Sequence, residues 1–326
     1  MNQLYPLKFK SIFKDKIWGG QKIHSVLGMN FAPLPNCGEV WVVSGVQGDP
    51  SVVANGFLEG NELNELIEIY MDDLVGGNVY ERFGNEFPVL IKFIDSNDWL
   101  SIQVHPDDEL AAIRDIGKGK TEMWYIMQAD KKAELISGFN QYVDRDAYLE
   151  FLENKKIKEI LNFEKVNKGD VFFMPAGRIH ALGPGILLTE IQQTSDTTYR
   201  IYDWDRVDSE GKSRDLHTEL ALDAIDFNVY DDYRTKVNTK VNATIELINC
   251  DYFTTNLLEL TKPIKKDYSE LDSFVIYICH NGSAKLKYIN GNISMKTGDA
   301  VLVPALLDDI SIFPLSEASF LEVYIT

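Results

Sequence analysis

Apolar and polar positions alternate over short runs in most of this chain, which is the pattern of half-buried β-strands. The runs are rich in β-branched and aromatic residues, which favour strands over helices. Strands are predicted at residues 39–44, 87–94, 100–105, 122–127, 186–191 and 274–279. Asn281–Gly282 and Asn290–Gly291 lie between strand-like runs, and each pair predicts a tight hairpin turn.

Helical periodicity is confined to a few segments. Residues 61–70 repeat apolar side chains at intervals of three and four, which places them on one helix face. Residues 106–114 open with proline followed by acids, a pattern typical of a helix start. Helices are also predicted over 146–153 and from 216 to 222 onward. The chain is therefore predicted to be mainly β with a few α-helices.

One short pattern occurs twice. Residues 168–176 read Lys-Gly-Asp-Val-Phe-Phe-Met-Pro-Ala, and residues 297–305 read Thr-Gly-Asp-Ala-Val-Leu-Val-Pro-Ala. A Gly-Asp turn, a four-residue apolar strand and a Pro-Ala end predict two related all-β modules. His180 follows the first copy closely, whereas Leu306–Leu–Asp–Asp309 follows the second. The asymmetry places the candidate chemistry in the first module.

The length of 326 residues is enough for two domains. Residues 230–240 are polar and show no convincing period, so they are predicted to link the modules. The expected division is a first unit with the candidate chemistry and helical insertions over 1–235 and a second unit over 236–326.

Charge and cysteine content restrict the possible partners. A net charge of −18 argues against a nucleic acid or an anionic membrane as partner, although a small phosphate can still bind to local cations. The start at Met1 has no apolar leader pattern, and no run approaches the roughly 18 apolar residues of a spanning helix. Cys37, Cys250 and Cys279 are odd in number and widely spaced, which predicts reduced thiols and a cytoplasmic location.

A polar stripe marks the candidate site. Side chains alternate along a strand, so Ser101, Gln103 and His105 share one face while Ile102 and Val104 share the other. Polar groups on a buried face need partners. The polar face of this strand therefore requires an explanation beyond ordinary packing.

Other polar residues can meet this stripe. Lys120 and Glu122 lie two positions apart at the start of the next predicted strand, and His180 follows the first Pro-Ala end. With Gln103 and His105, they offer two imidazoles, a carboxylate and an amide, a set that suits Zn²⁺ or a similar divalent ion. The competing interpretation is that such histidines are ordinary surface or core residues.

Several segments together carry a family resemblance. The segments are Trp18–Gly–Gly20, Leu100–Ser–Ile–Gln–Val–His–Pro106, Gly119–Lys–Thr–Glu–Met–Trp124, Pro175–Ala–Gly–Arg–Ile–His–Ala181 and Glu190–Ile–Gln–Gln–Thr–Ser–Asp–Thr–Thr–Tyr–Arg200. They occur in the same order as in the family, and the resemblance extends over nearly the whole chain. With them the chain resembles the type I mannose-6-phosphate isomerases in their short bacterial form. The resemblance implies two cupin (double-stranded β-helix) barrels, of which the first binds one zinc ion per chain. It places the metal ligands at Gln103, His105, Glu122 and His180.

The resemblance also implies an activity, the interconversion of mannose 6-phosphate and fructose 6-phosphate through an enediol. Arg200 falls on the active-site arginine of the family. Glu190 is the first candidate for proton transfer and Lys120 the second, while an alternative role for Glu190 is to orient Arg200 as its ion-pair partner. Substrate contacts are expected from Ser101, Lys92 and Arg206.

Two other functions remain open at this point. One is a non-catalytic sugar-binding or regulatory cupin, because fold does not fix function. The other is an iron-dependent cupin oxygenase, although Gln103 suits zinc better than iron. The expected partner is a small sugar phosphate, with no nucleic acid or membrane, and the chain is expected to be a monomer or a homodimer.

Overall fold

The structure, a computed structural model, describes residues 4–207 and 210–326. Within these ranges residues in strands far outnumber residues in helices, so the prediction of a mainly β fold with a few helices is confirmed. Met1–Gln3, part of the start that was expected to lack a leader, lie outside the described residues.

The first part of the described chain forms two antiparallel sheets. Their strands are β1 (Ile12–Lys14), β2 (Glu39–Val43), β3 (Val89–Ser96), β4 (Ile102–Val104), β5 (Glu122–Ala129), β6 (Glu134–Phe139), β7 (Leu161–Lys165), β8 (Val171–Met174), β9 (His180–Leu182), β10 (Ile186–Gln193), β11 (Tyr199–Tyr202) and β12 (Arg234–Thr235). Sheet I has the order β11-β4-β9-β6-β7, and sheet II has the order β1-β2-β3-β10-β5-β8-β12.

The rest of the described chain forms two more antiparallel sheets. Their strands are β13 (Thr244–Asn249), β14 (Thr254–Leu260), β15 (Ile264–Asp267), β16 (Val275–Asn281), β17 (Ser283–Tyr288), β18 (Gly291–Lys296), β19 (Ala300–Val303), β20 (Asp309–Pro314) and β21 (Ala318–Tyr324). Sheet III has the order β13-β14-β21-β16-β19, and sheet IV has the order β15-β20-β17-β18.

Side-chain alternation on β3 explains how the sheets stack. Val89, Ile91 and Phe93 pack into an apolar cluster that also contains strand residues of sheet III. The opposite face carries Lys92 and Ile94, which line a cavity together with side chains from sheet I. Every residue of β3 is buried because both faces of sheet II are covered.

The apolar core follows the same layers. One cluster covers the outer face of sheet I, a second lies between sheets I and II, a third between II and III, and a fourth between III and IV. The third layer joins the two halves of the chain, so the second module buries apolar surface against the first.

The two halves share one strand order. The run β3-β10-β5-β8 of sheet II matches β14-β21-β16-β19 of sheet III, and β4-β9-β6-β7 of sheet I matches β15-β20-β17-β18 of sheet IV. The duplicated motif occupies equivalent positions, since it supplies β8 in one half and β19 in the other. Gly169 and Gly298 open these segments with φ of 91° and 92°, a left-handed conformation that favours glycine. Closure of each sheet pair into a cupin barrel stays a prediction.

Seven α-helices occur in the described residues. They are α1 (Lys22–Ser25), α2 (Leu63–Tyr70), α3 (Asp72–Val75), α4 (Gly77–Phe83), α5 (Asp108–Ile113), α6 (Arg145–Glu153) and α7 (Thr218–Ala224). Short 3₁₀ helices lie at Gly56–Leu58 and Ile157–Ile160. The four predicted helices correspond to α2, α5, α6 and α7. Helix α5 begins after Pro106 because the Asp107 carboxylate accepts a hydrogen bond from the Leu110 amide at 2.8 Å and caps the helix.

One of the two predicted hairpins is wrong. Strands β17 and β18 pair around Asn290, with Tyr288 opposite Gly291, so the second Asn-Gly pair does mark a hairpin. Asn281–Gly282 instead connects β16 of sheet III to β17 of sheet IV, and these two strands do not pair. Gly282 has φ of 78° and lies against the Glu317 carbonyl, which suits a corner between sheets.

The boundary at residues 235 and 236 stays a prediction. Strand β12 pairs with β8 and thus still belongs to sheet II, whereas β13 is the first strand of sheet III. Among the described residues, no helix has the length and apolar character needed to cross a membrane.

Candidate active site and metal centre

Three predicted ligands meet where sheets I and II face each other. His180 opens β9 and is the cross-strand partner of Gln103 on β4, while Glu122 opens β5. The candidate ligand atoms of His105, Glu122 and His180 all lie within 4.8 Å of one another. Nε2 of His180 is 3.3 Å from Glu122 Oε1, and Nε2 of His105 is 3.6 Å from Glu122 Oε2. All three side chains are buried.

Backbone carbonyls orient both imidazoles. Nδ1 of His105 lies 3.0 Å from the Thr197 carbonyl, and Nδ1 of His180 lies 2.9 Å from the Arg178 carbonyl. A carbonyl only accepts, so Nδ1 donates in each ring and the Nε2 lone pair faces Glu122. Burial lowers the pKa of His180 to about 4 and that of His105 well below its usual value. Both rings are therefore neutral at pH 7, the form that binds metal ions.

The strand alternation predicted for residues 101–105 is correct. Ile102 and Val104 pack into the cluster on the outer face of sheet I, so the polar side chains face inward. Ser101 donates from Oγ to Gln103 Oε1 at 3.4 Å. Nε2 of Gln103 lies 3.2 Å from Nε2 of His180, which places the amide beside the three-residue cluster.

Orphaned polar atoms test whether this cluster suits a metal ion. Both carboxylate oxygens of Glu122 and Nε2 of His105 are buried without a hydrogen-bond partner in the described part of the chain. Each such atom costs about 1–3 kcal/mol when it is left unsatisfied. A divalent cation would satisfy all of them with its preferred nitrogen and oxygen donors. The residues therefore fit a metal centre.

Glu122 sits in an unusual electrostatic environment. Burial and the negative charge of Glu190 raise the pKa of Glu122 to about 7. Nζ of Lys120 lies 3.3 Å from Glu122 Oε2 and opposes this effect. A bound cation would favour the ionised carboxylate in the same way.

Glu190 is held by two neighbours. Its cross-strand partner on β3 is Lys92, whose Nζ lies 3.0 Å from Glu190 Oε1. Trp124 donates from Nε1 to Glu190 Oε2 at 2.9 Å. Burial alone would raise the pKa of Glu190, but the charges of Lys92 and then Lys120 outweigh burial and lower it. Glu190 is therefore an oriented anion at neutral pH, and its ion-pair partner is Lys92 rather than Arg200.

Lys92 is one member of a row of alternating charges. It donates to Gln192 Oε1 at 2.7 Å and lies 3.9 Å from Glu39 Oε2, while Lys16 lies 3.1 Å from Glu39 Oε1. The pKa of Glu39 falls to about 2 because these two lysines outweigh the effect of its burial. Glu190 and Glu39 in turn raise the pKa of Lys92 against the effect of burial. Lys92 is thus a fixed internal cation.

A cavity of about 280 Å³ opens beside the cluster. Seven of the ten predicted site residues line it, namely Lys92, Ser101, Gln103, Lys120, His180, Glu190 and Arg200. His105 and Glu122 belong to the cluster with His180 but do not line this cavity. Arg206 is not part of this wall, because it binds the Asp203 carboxylate at 2.6 Å and the Trp99 carbonyl at 2.6 Å, and it lines a neighbouring cavity instead.

Arg200 reaches the cavity from β11, beside Gln103 on β4. Its Nη1 donates to the Asp215 carbonyl at 2.8 Å, while its Nε is buried and has no hydrogen-bond partner among the described residues. His217 accepts from the Arg200 amide at 3.0 Å and anchors the backbone. Part of the guanidinium is therefore available to a ligand.

Sequence reasoning missed several charged residues in the cavity wall. These are Lys16, Glu39, Asp196 and Arg214. Glu39 opens the predicted strand at 39–44, and Asp196 lies in the matched segment 190–200, but neither had been singled out as a site residue. Lys16 and Arg214 lie in irregular segments, where no periodic pattern indicates the direction of a side chain.

Comparison with known proteins adds to this geometry. A model of the type I phosphomannose isomerase catalytic domain matches residues 6–144, and a mannose-6-phosphate isomerase cupin-domain model matches residues 243–314. Mannose-6-phosphate isomerase ManA of Bacillus subtilis is 37% identical, over 92% of this chain and 93% of its own length. The chain belongs to the type I phosphomannose isomerases. The prediction of an aldose–ketose isomerase is confirmed by this membership.

Other members of the phosphomannose isomerase family agree. Probable mannose-6-phosphate isomerase GmuF of Bacillus subtilis is 33% identical over 94% of this chain and 96% of its own. The crystal structure of mannose 6-phosphate isomerase from Bacillus subtilis superposes with a TM-score of 0.88 at 32% identity, covering 98% of this chain and 99% of that one. A putative mannosephosphate isomerase from Archaeoglobus fulgidus, at 19% identity and a TM-score of 0.80 over 98% of each chain, shares the fold.

Proposed function

We propose that this phosphomannose isomerase family member interconverts mannose 6-phosphate and fructose 6-phosphate through an enediol, in a zinc-dependent reaction. The buried His105–Glu122–His180 cluster beside a charged cavity is the observation that carries the proposal. Family membership supports the substrate class.

One zinc ion per chain would be held by His105, Glu122, His180 and Gln103. Two neutral imidazoles, a neutral amide and one carboxylate would leave a net charge of about +1 at the site. Zinc bound by this set supplies Lewis-acid polarisation of the sugar oxygens. The orphaned Glu122 and His105 atoms support the assignment.

Proton transfer between the first two sugar carbons falls to Glu190 or Lys120 in this proposal. Glu190 is ionised at neutral pH and therefore able to accept a proton, and Lys92 and Trp124 hold its carboxylate in one orientation. Lys120 lines the same cavity and contacts Glu122, so it remains the second candidate.

Arg200 is assigned to the negative charge that develops on the sugar oxygens. Its guanidinium stays cationic over the whole working range, and the Arg200 side chain lines the cavity while its buried Nε has no hydrogen-bond partner among the described residues. Ser101 is assigned to a sugar hydroxyl on the same wall. Lys92 acts through Glu190, and Arg206 stays a candidate only at the outer end of the substrate.

Location and assembly complete the proposal. Three unpaired cysteines, Cys37, Cys250 and Cys279, support a cytoplasmic enzyme. The units 1–235 and 236–326 are proposed as the metal-binding and metal-free domains. A monomer or homodimer without nucleic-acid or membrane partners is proposed with them.

The test combines metal analysis with a coupled isomerase assay on fructose 6-phosphate. The proposal expects about one zinc per chain, loss of turnover after chelation and recovery on adding zinc. Turnover that persists in metal-stripped protein would contradict the zinc mechanism. Stoichiometric zinc without isomerase turnover would favour the non-catalytic sugar-binding alternative.

A further inference from the structure

Two cavities meet at a group of cations. Lys16, Arg200 and Arg214 line the active-site cavity and also the adjoining cavity of about 590 Å³. Gln103 and His180 belong to the wall of the first cavity only. The shared cations therefore lie where the active-site cavity ends, away from the metal-ligand candidates.

The wall of the active-site cavity has an excess of positive charge. Five cations line it (Lys16, Lys92, Lys120, Arg200 and Arg214) against three carboxylates (Glu39, Asp196 and Glu190). Lys92 is already neutralised by Glu190 and Glu39 deep in the wall. The remaining cations lie towards the shared end, where Lys16 contacts Glu39, Arg214 contacts Asp203 and Arg200 forms no ion pair with a described carboxylate. In a chain of net charge −18, three cations grouped at one cavity mouth are a local concentration of positive side chains.

Asp203 fixes the direction of Arg214. Its carboxylate accepts from Arg214 Nε at 2.7 Å and from Nη2 at 2.5 Å, a bidentate contact on one edge of the guanidinium. The remaining Nη1 is thereby directed away from Asp203, and the side chain lines the cavity. Nearby, Arg200 is half-buried, and its own burial and the charge of Arg214 lower its pKa. Two close guanidiniums of this kind are stabilised by an anion.

Lys16, which follows strand β1, is the third cation of this group. Its Nζ lies 3.1 Å from Glu39 Oε1, and about a third of its side chain is exposed. A lysine with a flexible stem and one partner on its inner side can still reach a ligand in the cavity. Lys92 and Arg206, the cations from which substrate contacts were expected, are each held by protein groups, and Arg206 does not line this cavity.

We propose that Lys16 and Arg214 bind the phosphate group of the sugar phosphate, with Asp203 as a positioning residue for Arg214. This inference rests on the proposed function for its ligand class. A phosphate monoester carries about −1.5 to −2 charges near pH 7, which suits a site formed by two neighbouring cationic side chains. Arginine binds phosphate through paired hydrogen bonds, and lysine binds it as a point charge.

The test measures binding and catalysis separately. Calorimetric titration with mannitol 6-phosphate, which lacks the carbonyl needed for isomerisation, reports on phosphate binding without turnover. Phosphate-free mannitol is the comparison ligand. The variants are Lys16→Gln, Arg214→Gln and the double variant. Matched controls are Lys8→Gln and Arg234→Gln, since Lys8 and Arg234 are similarly exposed and also paired with carboxylates.

Each single variant should raise the Kd for mannitol 6-phosphate and the KM for fructose 6-phosphate by about 10- to 100-fold, the value of a hydrogen bond to a charged group. The kcat should change much less, and weak binding of mannitol should be unaffected. Arg214→Lys, which keeps the charge, should recover part of the loss. The controls should match the wild-type protein.

The outcomes separate this inference from the proposed function. If wild-type protein turns over fructose 6-phosphate and both variants keep wild-type Kd and KM, the phosphate assignment is wrong and the isomerase assignment survives. If wild-type protein binds mannitol 6-phosphate, the variants lose binding and no protein has isomerase activity, the phosphate site stands and the proposed function fails. Thermal unfolding of each variant checks that lost binding does not reflect lost folding.

Discussion

Replacing Lys92 with methionine tests the charge arrangement behind Glu190. The substitution keeps the approximate length of the side chain but removes the cation whose Nζ lies 3.0 Å from Glu190 Oε1. It leaves Glu39 with Lys16 and the Trp41 indole as its neighbours. Removing one member of a buried ion pair typically costs about 3–5 kcal/mol. The pKa of Glu39, held at about 2 instead of 4.5 by Lys92, Lys16 and Trp41 together, corresponds to about 3 kcal/mol at neutral pH, of which Lys92 supplies only a part.

The effect should depend on pH with a definite sign. In the wild-type protein the pKa values of Glu190 and Glu39 are lowered, so their stabilising contribution is present above pH 4.5 and is lost as the pH falls towards 2. Without Lys92, only Lys120 and Trp124 oppose the effect of burial on the pKa of Glu190, so we expect this pKa to rise and the ionised carboxylate to destabilise the folded state. The loss of stability relative to wild type should therefore be larger at neutral pH than at about pH 5.

Urea unfolding of both proteins at the two pH values measures this difference. Lys14→Met is a matched control, because Lys14 and Lys92 both lie over the Trp41 ring, at 4.6 and 5.4 Å, but Lys14 pairs with Asp49 near the surface. The control should lose less than about 1 kcal/mol. Equal stability of Lys92→Met and wild type at neutral pH, or an equal loss at both pH values, would refute the reasoning.

Three further substitutions test other parts of the account. Glu190→Gln should lower kcat about 10²- to 10⁴-fold with little change in bound metal, and a wild-type kcat would move the proton transfer to Lys120. Arg200→Ala should lower kcat about 10²- to 10³-fold in the same assay, and unchanged turnover would remove Arg200 from the catalytic set. Glu322→Ala should lower the free energy of unfolding in urea by about 3–5 kcal/mol, because Glu322 is a buried acceptor for Tyr277 and an ion-pair partner of Lys266 at 2.9 Å. KM and bound metal should stay unchanged. A loss below about 1 kcal/mol would contradict this.

Glu322 also shows what the duplicated fold preserves. Glu190 lies opposite Trp124 and Lys92 in sheet II, and Glu322 lies opposite Tyr277 and Asn256 in sheet III. A buried acid therefore occupies the same place in both halves. In the second half its partners are tyrosine hydroxyls, an amide and Lys266, which satisfy the carboxylate within the protein.

The polar stripe at Ser101, Gln103 and His105 was predictable because alternation along a strand is local. The duplicated Gly-Asp motif was predictable for the same reason, since its turn and strand depend on adjacent residues. These local signals were enough to identify the mainly β fold and to propose residues that the structure brings together around Glu122.

Other features depend on which distant segments meet, and no local pattern contains that information. The pairing of β3 with β10 gives Glu190 the partner Lys92, whereas the alternative interpretation of Glu190 had paired it with Arg200. Asn281–Gly282 resembles a hairpin turn but lies where the chain passes between sheets. Lys16 and Arg214 converge on one cavity across about two hundred residues.

The most direct test of the central claim measures zinc content and isomerase activity together in wild type and in Glu122→Ala, with the exposed Glu246→Ala as control. The account predicts about one zinc per chain and turnover of fructose 6-phosphate in wild type and control. It predicts loss of both in Glu122→Ala, because Glu122 supplies the carboxylate of the cluster. Full isomerase activity in Glu122→Ala would contradict the zinc-dependent mechanism.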